Sequence, residues 1–589
     1  MPDSPHPDTP SLLPRPQKVE ASGSDGLTLT AATRVSADRA ARGTLTWLQR
    51  ELGTATGLPL ATGDEENAQI RLSVDPSAGL GREGYRLIID SEGAIVVGNE
   101  PAGVFYGAQT LRQLLPPDAY RTAPLGKAEW RLPAISITDA PRFRWRGAML
   151  DIARHFQPKR EILRFIDLLA LHKLNVLHLH LTDDQGWRVE IRRYPKLTEA
   201  ASWRAQSQLG ISEPPVFDNR PHGGYLTQDD IREIVAYADA RHVTVVPEID
   251  VPGHSQAAIH AYPELGEAGG IPVGTQWGVF DEVLAVTDNV LEFYRNVLDE
   301  ILELFPSTYV HVGGDECPKT QWRNSASAQQ RIREEGLADE DELQSWFIRQ
   351  LDDHLTKRGR RLVGWDEILE GWLLEGQGEQ EGQEARDGGD AAEGRVGRRA
   401  GLAPGATVMS WRGEEGGIAA ARAGHDVVMA PTATSYLDYK QSDSPDEPVP
   451  VGTLLRWEDV YASEPVPVGL TEEEARHVLG AQVNLWSEHI DSQRKLDYMV
   501  FPRLSAFAEK VWSEGERDHT EFEPRLRTHL ERLDAVGVEY RPLDGPRPWH
   551  TRPGVYGWGY YPDGSEGSAG ADGSDGSDGE GPGQDRAAG

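Results

Sequence analysis

Between Phe143 and Trp512 the chain alternates two hydrophobic rhythms. Short apolar runs with β-branched residues are followed by stretches in which apolar residues recur every three or four positions. The first rhythm predicts strands and the second amphipathic helices. Eight strands are predicted, over residues 145–154, 175–184, 243–250, 309–316, 361–367, 407–411, 426–430 and 479–488. Helices are predicted over 159–173, 228–240, 288–305 and 340–358. In the first of these, Ile162, Leu163, Ile166, Leu169 and Leu171 make one apolar face. Thr227 and Thr287 stand where N-caps belong. Strands alternating with helices in this way predict a (β/α)₈ barrel, with functional residues at the C-terminal ends of the strands. Several of the runs do end in polar or acidic residues.

Residues 12–138 read differently. Ala68 to Val74 and Tyr85 to Asp90 alternate with strand period, and Val104 to Leu115 has helical spacing and stops at Pro116-Pro117. A smaller α+β domain is expected there, with no concentrated chemistry. The catalytic unit is placed at 139–540, followed by a C-terminal extension at 541–562. Residues 1–11, an insertion at 376–400 rich in Gly, Glu, Gln and Arg, and a Gly/Ser/Asp tail at 563–589 lack the large apolar residues a core needs, and are expected to be disordered.

Composition narrows the partners. The 589 residues carry a formal net charge of −34, which argues against a nucleic-acid partner and against an anionic membrane surface. The single cysteine, Cys317, excludes an intrachain disulfide framework, and it reads as a small side chain packed beneath a site. The N-terminus shows no basic segment followed by an apolar one, and no apolar run is long enough to span a bilayer, so a cytoplasmic location is expected.

The densest chemistry lies in Tyr309-Val-His-Val-Gly-Gly-Asp-Glu316. Two adjacent acids reach one site only where a strand ends and its backbone turns, and Gly313-Gly314 permits that turn. Neighbouring carboxyls repel, so one tends to keep its proton while the other ionises. That division suits a proton donor beside an anionic helper. Trp365, Trp411 and Trp486 fall near the ends of late strands, where aromatic walls with a few acids and an arginine would suit the apolar C–H face of a sugar ring. His178 and His180 share one strand face as a zinc pair would, but no further set of strand-end histidines accompanies them, so they are read as structural or site-lining. No metal and no cofactor are expected.

These residues lie in segments that resemble the family 20 glycoside hydrolases, the β-N-acetylhexosaminidases, and in particular the bacterial two-domain members. The matching segments are Arg146 to His155, Asn175 to Trp187, Pro247 to His254, His311 to Glu316, Gly364 to Ile368, Met409 to Trp411, Tyr436 to Asp438 and Asn484 to Glu488. The resemblance implies a substrate-assisted retaining hydrolase, in which the 2-acetamido carbonyl of the sugar attacks the anomeric carbon and forms an oxazolinium intermediate. It further implies that Glu316 is the general acid and then the base, and that Asp315 orients the acetamido N–H. Tyr436 would bond the acetamido oxygen. Trp365, Trp411 and Trp486 would enclose the sugar, Arg154, Asp438 and Glu488 would hold its hydroxyls, and Asp183 with His254 would tune Glu316. A donor working near neutral pH calls for a raised Glu316 carboxyl and an ionised Asp315. The implied substrate is a small carbohydrate, a terminal β-linked GlcNAc or GalNAc unit of a glycan or chitin oligosaccharide. A relative releasing a disaccharide, a binding protein without turnover and, more distantly, a metal hydrolase are the alternatives.

Overall fold

The computed structural model describes residues 10–555 apart from 24, 127–128, 213, 268, 370–401 and 404. The predicted insertion and the Gly/Ser/Asp tail lie outside the described residues, as do most of residues 1–11.

The N-terminal unit is a seven-stranded mixed sheet: β1 (Lys18–Ala21), β2 (Arg34–Ala37), β3 (Ala61–Thr62), β4 (Ile70–Val74), β5 (Tyr85–Ile89), β6 (Ala94–Gly98) and β7 (Ile135–Asp139), in the spatial order β1-β7-β5-β6-β4-β2-β3. Strand β5 shows why one face is covered. Tyr85, Leu87 and Ile89 are buried, while Arg86 and Ile88 point to solvent. Helices α1 (Arg42–Thr56) and α2 (Pro101–Gln113) supply Leu48, Leu52, Val104, Phe105 and Leu111 to the same core.

The second unit is a closed barrel of parallel strands: β8 (Trp145–Asp151), β9 (Val176–His180), β10 (Thr244–Val251), β11 (Tyr309–Gly313), β12 (Arg361–Trp365), β13 (Thr407–Ser410), β14 (Asp426–Met429) and β15 (Val478–Leu485). All eight predicted strands are present, in order. Helices α3 (Lys159–Leu171), α4 (Gln228–Asp239), α5 (Asp288–Leu304) and α6 (Glu340–Thr356) lie where the periodicity puts them. Thr227 caps α4 in a reciprocal capping box with Asp230, and Thr287 accepts from the Val290 N–H at the start of α5.

The barrel interior is layered. Trp145, Val176, Val246, Val363, Met409 and Val428 form an apolar plug. His178, His180, Glu248, His311, Gln482 and Asn484 are fully buried beyond it. Barrels of this type place their chemistry on the C-terminal rim.

The two units are joined by buried ion pairs. Arg146 meets Glu83 at 2.8 Å, and Lys173 meets Asp139 at 3.1 Å. Asp139 also accepts from Tyr85 Oη at 2.7 Å and from Trp512 Nε1 at 3.0 Å. Removing one member of a buried pair strands the other, at a cost of about 3–5 kcal/mol. Asp139→Ala should therefore lose about that much stability by denaturant titration. An unchanged midpoint would show that the Lys173 ammonium needs no counter-charge.

Candidate active site

Strand β11 ends at Gly313, and the two residues after the turn are Asp315 and Glu316. Gly313 and Gly314 have φ of 68° and 93°, which favour glycine. A Cβ on Gly313 would lie 1.6 Å from Asp250 Oδ1, so the backbone there is pressed against the neighbouring strand end. Glu316 (φ 43°) and His254 (φ 47°) are also left-handed although neither is glycine. Such backbone costs about 1–3 kcal/mol per residue and is retained where it aims a side chain. Here it turns the two residues toward each other, with His254 Nε2 3.3 Å from Glu316 Oε2.

The acids differ in access. The Glu316 side chain is 39% exposed and that of Asp315 10%. Behind them, His254 Nδ1 lies 3.0 Å from Asp184 Oδ2 and 3.3 Å from Asp183 Oδ1. Asp183 Oδ2 also meets Arg154 Nη2 and His180 Nε2, each at 2.8 Å. Burial alone would keep His254 neutral. The charge and hydrogen bond of Asp183, with bonds to Asp184 and Glu316, outweigh it and hold His254 well above the usual imidazole value.

This environment reverses one expectation. Burial pushes Glu316 up, but the bond and positive charge of His254 outweigh it and its carboxyl is lowered. Asp315 is pushed up to about 7, first by burial, which the charge of His254 opposes and the Glu316 anion reinforces. In the free site Asp315 and His254 therefore hold a proton more readily than Glu316 does. Sequence reasoning misses this because the charge on His254 depends on Asp183 and Asp184, which come from a distant strand end.

Four aromatic side chains named from the sequence lie side by side on this rim. Trp365 and Trp486 have ring centroids 5.9 Å apart, Tyr436 lies 6.3 Å from Trp486, and Trp411 stacks with Tyr436 at 6.3 Å. Arg154 lies over the Trp486 ring, 4.8 Å from its centroid. Asp438 and Glu488 are pushed up by burial, Glu488 to about 7. Asp315 Oδ1, Asp438 Oδ1, Glu488 Oε2 and Arg154 Nε are buried with no hydrogen-bond partner. Orphaned polar atoms of this kind are costly unless a ligand satisfies them.

Three further residues serve the site without having been given a role from the sequence. Asp184 is nearer His254 than Asp183 is. Glu367 accepts from Trp411 Nε1 at 2.9 Å, and Asp250 lies against the turn of the acid pair. All three were visible as strand-end acids, but partners come only from the register between strands. Among the described residues, four groups have donor types that could hold a cation: His178, Glu248 and His311; His180, Asp183 and Asp250; Asp183, Asp184 and His254; and Asp250, His254 and Asp315. In each, an imidazole nitrogen already faces a carboxylate. Cys317 is buried, with its thiol pushed up to about 12 by burial. No helix among the described residues is long and apolar enough to cross a membrane.

Comparison with known proteins agrees with this geometry. The model of the glycosyl hydrolase family 20 catalytic domain matches residues 143–515, and that of the family's domain 2 matches residues 9–140. A β-hexosaminidase of Porphyromonas gingivalis is 42% identical over 488 residues, covering 82% of this chain; the match spans 58% of that relative's length. A β-hexosaminidase of Vibrio furnissii is 35% identical, covering 85% of this chain and 76% of its own. Among solved structures, the GH20 β-N-acetylhexosaminidase of Streptomyces coelicolor A3(2) has a TM-score of 0.75 at 32% identity, covering 91% of this chain and 99% of that one. The Vibrio harveyi GH20 exo-β-N-acetylglucosaminidase, solved in complex with N-acetylglucosamine, has a TM-score of 0.75 at 34% identity, covering 93% and 81%. Two family models matched in sequence along one chain, over a barrel whose rim gathers the acid pair and the tryptophan wall, make this protein a member of glycosyl hydrolase family 20.

Proposed function

We propose that the protein is an exo-acting β-N-acetylhexosaminidase, removing terminal β-linked GlcNAc or GalNAc with the substrate's own acetamido oxygen as nucleophile. The observation that carries this reading is the pairing of a reachable Glu316 with a buried Asp315 whose Oδ1 lacks a partner, on one turn beside the tryptophan wall. The acetamido N–H supplies the donor that Asp315 lacks. Ionised Asp315 then steadies the positive charge that grows as the acetamido oxygen attacks the anomeric carbon. Glu316 protonates the departing glycosidic oxygen. Its proton is available from His254, 3.3 Å away, whose cationic form Asp183 and Asp184 favour. Afterwards Glu316, now anionic, takes a proton from the water that opens the oxazolinium ring. Tyr436 bonds the acetamido oxygen, and Arg154, Asp438 and Glu488 bond the ring hydroxyls.

A plain glucoside has no internal nucleophile. Aryl β-GlcNAc and β-GalNAc glycosides should therefore be hydrolysed, the matching aryl β-glucoside should not, and a thiazoline mimic of the cyclic intermediate should inhibit. Equal hydrolysis of glucoside and 2-acetamido glycoside would overturn the assisted route.

A second reading is release of a disaccharide. A cavity of about 880 Å³ adjoins the site at Glu488, on the side that holds the hydroxyls, and is lined in part by His155, His222, His489, Tyr498 and Trp549. The size of the product from an aryl disaccharide decides between the two.

A further inference from the structure

Glu248 lies in the middle of β10, inside the barrel and fully buried. Four nitrogens on three other strands or their ends surround its carboxylate. His180 Nδ1 lies at 2.5 Å and His178 Nε2 at 3.1 Å from Oε2; His311 Nδ1 lies at 2.8 Å from Oε1, and Trp365 Nε1 donates to Oε1 at 3.1 Å. Register explains the convergence, since His180 and His311 are the strand partners of Glu248 on either side. Burial opposes the charge, but His311, His180 and His178 outweigh it and hold the carboxyl well below its usual range.

Two of these contacts lead to the reacting centre. His180 uses its other nitrogen, Nε2, to meet Asp183 at 2.8 Å, and Asp183 continues to His254, which meets Glu316. An unbroken series of charged contacts therefore runs from the barrel interior to the proton donor. Trp365 continues along the other branch to Trp486 in the aromatic wall.

We propose that Glu248 is a positioning residue for the proton donor: it holds the N–H at His180 Nδ1 and the seat of that ring, and through Asp183 and His254 the placement of the Glu316 carboxyl, while anchoring the Trp365 indole. This rests on the proposed role of Glu316 as the acid. Glu248 itself touches no substrate atom. Replacing it with the isosteric glutamine keeps an acceptor for Trp365 but presents an amide N–H₂ to His180 Nδ1. Two donors then face each other, His180 must turn Nδ1 into an acceptor, and the charge it shares with Asp183 is lost.

The test is leaving-group dependence, because help to the acid matters only where the leaving oxygen needs a proton. Glu248→Gln should lower kcat about 10–100-fold on a GlcNAc glycoside with a sugar leaving group, with KM little changed. On the dinitrophenyl glycoside, which leaves unprotonated, the loss in kcat/KM, which reports bond breaking and not the later ring opening, should stay within about threefold. His180→Gln, which retains a donor toward Asp183 but disconnects Glu248, provides the second arm. It should show the same selectivity, and the double variant should be no slower than either single one, since both cut one series. Equal losses on the two glycosides, additive losses in the double variant, or unchanged rates would overturn the proposal. If Glu248→Gln did not fold, as read by circular dichroism, the selectivity of His180→Gln alone would decide. Failure of the unsubstituted enzyme on both glycosides would instead overturn the proposed activity, and this inference with it.

Discussion

Glu316→Gln should slow cleavage of a GlcNAc glycoside with a sugar leaving group by about 10²–10⁴-fold, the contribution expected of a positioned acid. Glutamine matches the size of the carboxyl and can still accept from His254 Nε2 at the 3.3 Å seat, so binding should change little. What disappears is the proton. An alkoxide leaving group must then depart unassisted, whereas a dinitrophenolate needs no proton and should leave nearly as fast. For the activated substrate the second half of the reaction becomes limiting, because ring opening by water needs the Glu316 anion as base. Adding azide, a nucleophile that carries no proton to be removed, should restore turnover of that substrate. Unchanged rates with the sugar leaving group, measured as kcat, would remove Glu316 from the role of acid.

Asp315→Asn should cost about 10²–10³-fold in kcat, the size of effect seen when one fixed electrostatic partner of a transition state is lost. The oxygen that now lacks a partner, Oδ1, could be replaced by an amide that donates where the acetamido N–H also donates. The acetamido group would then be turned away from the anomeric carbon, and the charge opposing the growing cation would be gone. The pH profile gives a second readout. Asp315 is held up to about 7 in the free site, mainly by burial. Its neutral form dominates below that value and its anion above it, so kcat/KM should rise with pH through about 7. In Asp315→Asn that rise should vanish. Full activity with an unchanged profile would count against acetamido participation.

Much of this was legible in the chain, for identifiable reasons. Barrel strands are short, apolar and end abruptly in polar residues, so strand ends such as Val310-His-Val-Gly-Gly-Asp315 and Leu362-Val-Gly-Trp-Asp366 announce both the fold and its working rim. The caps at Thr227 and Thr287 are local features, readable within four residues. What stayed hidden depends on pairing across strands far apart in sequence. Nothing local says that Glu248 sits opposite both His180 and His311. Nothing local says that Asp184 reaches His254, or that the resulting cation lowers Glu316 while burial and the Glu316 anion raise Asp315. The residue types of the site were readable; their proton inventory required the closed cylinder.

The junction between the two units bears on how the protein can be handled. Lys173 and Arg146 are cations of the barrel, and the carboxylates that neutralise them, Asp139 and Glu83, belong to the smaller unit. Cutting the gene between the units would leave an isolated barrel with two uncompensated positive groups on its floor and a smaller unit with two stranded acids. Fragment expression and domain exchange with a distant homologue meet the same obstacle. The transferable unit is the pair of domains together.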